Sequence, residues 1–225
     1  MKSRWINFSV ELELSELIQS IGKRSFSEEQ NFGFEVFSVE NSFIEASYTE
    51  KVTRIEKFAL PDGTEIENEQ ISIINFDFAV VQLQENKYLI EVVAAPRSIN
   101  SFIDNLERTL STPVFISVLQ LKIDKLLHYL NEYDTISNVK INNISVGNLK
   151  IDENNFADIQ IKSRKNILEA LNNKFPNQDY LFKKAKVSFF YQHQNVSLVV
   201  TNKGAFDIVG EAREPLLKFL MNNLY

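Results

Sequence analysis

The 225-residue chain contains no cysteine, which excludes disulfides, thiolate zinc sites and cysteine nucleophiles. Its two histidines, His128 and His193, are too few for a multi-histidine metal cage, and neither a metal nor a cofactor is expected. Glycine is scarce at 6 residues, and none falls in a phosphate-loop or dinucleotide-binding pattern. No G-x-S-x-G elbow is present, so the common serine-hydrolase arrangement is missing as well. No apolar run approaches the roughly 18 residues needed to span a bilayer. The charged start is interrupted by Glu11 and Glu13 before any apolar segment develops, so no secretory leader is read and a cytoplasmic location is expected.

What remains is ordinary globular composition, 44% hydrophobic and 24% charged, in a chain long enough to bury a core without staples. Asparagine is abundant, at 23 residues, and with many isoleucines and lysines it suggests an AT-rich, bacterial source. The net charge of −6 conceals an asymmetry: residues 1–111 carry 10 basic and 19 acidic side chains, and residues 112–225 carry 14 and 11. The expectation is an acidic α+β unit over 1–111 and a weakly basic α+β unit over 112–225, packed as one compact body.

The basic excess is concentrated in Lys162, Arg164, Lys165, Lys174, Lys183, Lys184 and Lys186, opposed over that stretch only by Glu169 and Asp179. Such a stretch can neutralise phosphates, and Phe175, Tyr180 and Phe182 lie among it as stacking surfaces. The plain alternative is a lysine-rich face that keeps the surface solvated. An acidic first half repels a polyanion at long range, so any such binding is local and salt-sensitive.

Period-two alternation from Arg4 to Val10 predicts a strand, and Leu12, Leu14, Leu17, Ile18 and Ile21 recur at helical spacing up to Gly22, read as the C-cap. Phe32 to Val39, Ser42 to Tyr48 and Val52 to Leu60 read as successive strands. Pro61-Asp62-Gly63-Thr64 is a turn, with proline presetting φ and glycine accepting a positive one. Ile71 to Leu83 is β-rich, Gln84–Lys87 turns it into Tyr88 to Ala94, and Pro96 introduces a helix carrying Ile99, Phe102, Ile103, Leu106 and Leu110. Val114 to Leu119 fits a strand or a helix start, and Ile123, Leu126, Leu127 and Leu130 are helical. Val139 to Val146 and Leu149 to Ile151 read as short strands near Gly147. Phe156 to Ile161 is a strand, Asn166 to Phe175 a helix, Lys186 to Tyr191 and Val196 to Val200 a hairpin, and Ala205 to Val209 a strand before a helix over Glu211 to Leu224.

The first half thus reads strand, helix, four strands, helix; from Phe156 onward the order is strand, helix, three strands, helix. This order resembles the half-repeat of the TATA-box-binding-protein-like fold, which implies a curved antiparallel sheet with helices on one face. The expected fold class is α+β, antiparallel sheet with helices packed on one face, with two such repeats as its sharper form. A shared fold does not establish function.

A second resemblance concerns chemistry. The segment Ile74 to Ser98, INFDFAVVQLQENKYLIEVVAAPRS, is similar to the core of restriction-endonuclease-like nucleases, where an Asp ends one strand and a carboxylate-x-Lys follows on the next. The resemblance implies Mg²⁺ held by Asp77 and Glu91, with a lysine polarising the attacking water. Val93 occupies the lysine position, and Glu91 sits in a very apolar strand. Asp152 with Gln160-Ile161-Lys162 repeats the pattern more weakly. The plain reading places Asp77 and Glu91 on the solvent face of an amphipathic hairpin.

His128 reads as a helix boundary residue and His193 as a solvated turn residue. Eighteen phenylalanines are mostly core by this reading, yet Phe76/Phe78 and Phe189/Phe190 lie in runs apolar on both faces. That pattern suggests a sheet face covered by a protein partner or a second copy. Leu216, Leu217, Leu220, Met221 and Leu224 read as core. The expectation is a non-catalytic binding or scaffolding subunit of a bacterial multi-protein assembly, away from membranes. The alternative is a nucleic-acid-binding protein using Lys162–Lys186, and the third reading is a Mg²⁺-dependent or degenerate nuclease at Asp77 and Glu91.

Overall fold

The computed structural model describes residues 1–40, 42–163, 167–175 and 180–223. Arg164, Lys165, Asp179 and Leu224 lie outside the described residues. The fold is α+β, with eleven strands among the described residues in an antiparallel sheet. The chain divides into two compact units, Asn7–Ser117 and Met1–Ile6 with Val118–Tyr225.

The first unit runs β1 (Lys2–Val10), α1 (Leu14–Gly22), β2 (Phe32–Glu40), β3 (Phe43–Ala59), β4 (Glu65–Gln84), β5 (Lys87–Val93), α2 (Asn100–Leu110) and β6 (Val114–Val118). Its strands lie in the order β2-β3-β4-β5-β1, with β6 pairing β1. Helix α1 buries Leu14, Leu17 and Ile21 on one stripe, and the Glu13 N–H donates to the Glu16 carboxylate at 3.1 Å, satisfying one free donor of the first turn. Gly22 is the last helical residue rather than a left-handed cap, because Lys23 stays right-handed. Helix α2 carries the organising side chain. The ring of Phe102 meets Phe34, Tyr48, Phe76 and Phe78 at centroid distances of 5.1–6.3 Å, and the buried amide of Asn105 donates to the Tyr48 hydroxyl at 2.7 Å. Phe76 and Phe78 are therefore core, 6% and 2% exposed; two residues apart on β4, they share the face that α2 covers.

The second unit takes the start of β1 and adds α3 (Ile123–Glu132), β7 (Ile136–Lys150), β8 (Phe156–Lys162), α4 (Ile167–Lys174), β9 (Leu181–Tyr191), β10 (Gln194–Thr201), β11 (Ala205–Val209) and α5 (Arg213–Asn223). The order is β1-β11-β10-β9-β7-β8. The strand–helix–three strands–helix order read from Phe156 is present, but α3 and β7 precede it. Alternation is strict: Ala185, Val187 and Phe189 are buried on β9, as are Val196, Leu198 and Val200 on β10. Helix α3 packs Leu126, Leu127 and Leu130 inward, and Tyr129 lies 5.3 Å from Phe219 of α5. Phe189 is thus core and Phe190 half-buried on the opposite face, so these two do not form an uncovered apolar face.

Turns and strand bulges depend on left-handed backbone, and in a glycine-poor chain asparagine takes much of it: Asn31 and Asn86 in turns and Asn138 and Asn148 at the register shifts of β7 all have φ near +60° (58°, 60°, 55° and 59°). Gly63, at φ 83°, closes the β3–β4 hairpin, where Asp62 accepts from the Thr64 hydroxyl at 2.7 Å. Gly33 is required for another reason, since a Cβ there would stand 2.0 Å from the Phe26 backbone nitrogen. Strand bounds also need correcting: the strand expected from Ile71 begins at Glu65, paired along its whole outer length with β3. Ser42–Tyr48 and Val52–Leu60 form one strand, β3, and the two short strands about Gly147 form one strand, β7, with bulges. Polar residues Thr49-Glu50-Lys51 and a glycine resemble breaks only while the ladder is unseen.

Candidate functional site

The longest exposed feature of the first unit is a two-stranded arm. Strands β3 and β4 pair in unbroken register from Phe43↔Val81 to Ala59↔Glu65. The last pair of β3 with β2 is Phe32↔Glu50, and β4 first meets β5 at Phe78↔Val92. Beyond Lys51 and Ile73 no third strand pairs with the ribbon among the described residues, so no ladder there occupies the backbone groups on its two outer edges. Every residue from Thr53 to Ile73 is exposed. Among them Ile55 is 59%, Phe58 50%, Ile66 50%, Ile71 56% and Ile73 59% exposed. Phe58 and Ile66 are register partners near the tip, and directly opposed residues share a face. The arm holds two basic residues, Arg54 and Lys57, and five acidic ones, Glu56, Asp62, Glu65, Glu67 and Glu69. Only Lys57 is paired in an ion pair, with Glu67 at 2.6 Å, among the described residues. Hydrogen bonds from Thr64 hold the Asp62 carboxyl below its usual range.

The second unit exposes the sheet face opposite its helices, and its ladders gather cations there. Lys162 of β8 pairs with Asn143 of β7, and Asn143 with Lys186 of β9. One step along, Gln160, Ser145 and Lys184 form the next row. Lys140 faces Ser188; Lys2 and Arg4 of β1 face Asp207 and Ala205 of β11. Lys183 crosses over Gly147 to Asp158 at 2.5 Å, and this contact lowers the Asp158 carboxyl. Lys150 stands opposite Phe156, which is 65% exposed.

Of the predicted basic residues, the strands thus bring Lys162, Lys183, Lys184 and Lys186 together, while Lys174 ends α4, 6.0 Å from the Phe175 ring. Phe182 is directed by the bulge to the side of Val146 and packs on Tyr180. The sequence reading missed Lys2, Arg4, Lys140, Lys150 and Phe156, because only strand register unites them. Counted by unit, the first carries 8 basic and 19 acidic residues and the second 16 and 11. The polarity is sharper than the halves of the chain suggest, since Lys2 and Arg4 belong to the basic unit.

Asp77 and Glu91 lie on the same face of adjacent strands, Asp77 opposite Ser47 and Glu91 opposite Ala79. Asp77 is exposed, whereas Glu91 is 1% exposed, so only the first is a solvent-face residue. Among the described residues no three His, Asp or Glu side chains converge to hold a metal ion. Asp152 accepts from Asn154 and Asn155 and ties its own loop. His128 lies on the surface of α3, 3.2 Å from Glu132, and His193 is exposed in the β9–β10 turn at φ 65°. At α5 the Tyr191 hydroxyl donates to Glu214 at 3.0 Å and Lys218 donates to the same carboxylate at 2.7 Å. Those contacts lower Glu214 and raise Lys218. No helix among the described residues is long and apolar enough to cross a membrane.

No family model matches the chain, and no curated protein matches it in sequence. Its surfaces carry the functional argument.

Proposed function

We propose that the protein is a non-catalytic binding subunit of a larger protein assembly and that the β3–β4 arm engages its protein partner. The observation that carries this reading is the unbroken exposure from Thr53 to Ile73 on a ribbon that nevertheless presents Ile55, Phe58, Ile66, Ile71 and Ile73. A two-stranded hairpin is marginal in water without a third strand or a packed face. Burying one of these side chains contributes about 1.5–3 kcal/mol, so an arm covered by a partner gains stability that it lacks alone. The open edges suit strand addition, and the acidic excess favours a partner whose apolar surface is bordered by lysine or arginine.

The test compares the tagged full chain with its Phe58→Asp/Ile66→Asp variant, each purified from the source cell with nuclease treatment and followed by light scattering. A stoichiometric protein held by the natural chain and lost from the variant supports the reading. Equal recovery from both, or a bare monomer in both, overturns it.

A further inference from the structure

We propose that the open sheet face of the second unit binds single-stranded nucleic acid, with Lys162, Lys184 and Lys186 neutralising phosphates and Phe156 stacking on a base. The cations sit on a regular lattice. Lys184 and Lys186 are two residues apart on β9, about 7 Å at the backbone, and Lys162 lies two strands from Lys186 in the same row, about 10 Å away. All three are exposed and have no acidic partner among the described residues. Asn143, Ser145 and Gln160 stand between them as uncharged donors and acceptors for sugar and base edges. Lys140, Lys2 and Arg4 extend the positive rows, and the acids on them are Asp207 and the ion-paired Asp158.

The exposed ring selects among polyanions. An acidic protein or a duplex needs the charges only, since a duplex keeps its bases stacked inside. Phe156, 65% exposed beside Lys150, offers the platform that an unpaired base uses, and lysines beside an aromatic on a sheet are the pairing that binds single strands without sequence preference. The chain is acidic overall, at −6, so attraction is confined to this face and fades steeply with salt.

The experiment is fluorescence anisotropy of the full chain with labelled 20-mer DNA and RNA single strands and the matching DNA duplex, from low to physiological salt. Single strands should bind more tightly than the duplex. The slope of log K against log [salt] should be about −2 to −3.5, as for three to five phosphates at about −0.7 each. Lys184→Glu/Lys186→Glu should cost at least tenfold and flatten the slope, whereas Phe156→Ala should cost about tenfold and leave the slope unchanged. These residues are exposed, so unchanged thermal unfolding of each variant shows that the loss is not one of folding. The arm variant Phe58→Asp/Ile66→Asp should bind as the natural chain does, which separates this site from the arm.

The proposal is overturned if the duplex binds as well as the single strand, if no oligonucleotide binds at low salt, or if the lysine variants bind normally. It is overturned equally if sedimentation shows self-association that the lysine variants abolish, because the face would then receive the acidic unit of a second copy.

Discussion

Excising the arm separates a surface built for a partner from one that holds the fold. Joining Val52 to Ser72, which are register partners, through Asn-Gly restores a two-residue hairpin turn and removes the exposed ribbon. The excised residues, Thr53 to Ile71, are all exposed, so little apolar area returns to water. Their exposed ion pair, Lys57–Glu67, is of a kind worth about 0–1 kcal/mol. The first unit should therefore lose no more than about 1 kcal/mol, a fall in Tm of about 4 °C. The assay is scanning calorimetry of the excised and natural chains, supported by urea unfolding with unchanged slope for the remaining body. A loss of 3 kcal/mol or more, comparable to emptying a core site, would refute the reasoning, because the ribbon would then be supporting the body from which it emerges.

Phe102→Ala should act in the opposite way, destabilising the first unit by about 3–5 kcal/mol in urea unfolding, since it empties the ring position between Phe34, Tyr48, Phe76 and Phe78. Tyr48→Phe leaves the buried Asn105 amide without its acceptor and should cost about 1–3 kcal/mol, read in the same way. Gly33→Ala forces a Cβ against the Phe26 backbone and should cost about 1–3 kcal/mol; an unchanged Tm would show that the loop can move aside freely. Glu214 has a lowered carboxyl through Lys218 and Tyr191, so its contribution is present above the unfolded-state value and is lost as pH falls through the folded one. Between about pH 5 and 3 the Tm of the natural chain should fall more steeply than that of Glu214→Gln, and parallel curves would remove Glu214 from the account.

Much of the element order was legible because its signals are local. Pro61-Asp62-Gly63-Thr64 and Gln84–Lys87 turn where proline, glycine and asparagine say they should, and Phe102, Leu106 and Leu110 share the buried stripe of α2. What escaped is set by pairing. β3 passes through polar Thr49-Glu50-Lys51 without ending, because β4 continues opposite it, and its outer half has no buried face for alternation to reveal. Arg54 and Glu56 fall on one side of the ribbon and Lys57, Glu65, Glu67 and Glu69 on the other, so charge on both faces was the available sign of a free ribbon. Phe76 and Phe78, read as evidence of an uncovered apolar face, instead lie beneath Phe102; helix placement, not strand pattern, decides that. The basic set was visible only where it clusters in the chain, between Lys162 and Lys186; Lys2, Arg4, Lys140 and Lys150 join it through strand register.

The way β1 is shared sharpens a separation of charge that the two halves of the chain already carry. Its residues through Ile6 belong to the second unit and those from Asn7 to the first, and burial shifts parity at that point, with Trp5 and Ile6 both buried. Trp5 is anchored on the basic side, where its backbone N–H donates to the Gly204 carbonyl at 2.7 Å and its ring meets Phe206 at 6.4 Å; Phe8 is anchored on the acidic side, 6.0 Å from Tyr88. Lys2 and Arg4 precede that shift, so they join the ladder of β11 instead of the acidic unit that the following hundred residues build. One strand thereby gives two cations to the face that carries Lys184 and Lys186, and the buried Phe8 and Val10 to the unit that carries the arm. The ligands proposed for the arm and for the basic face differ in chemistry, an apolar protein surface and a polyanion, so loss of one surface should leave binding at the other intact.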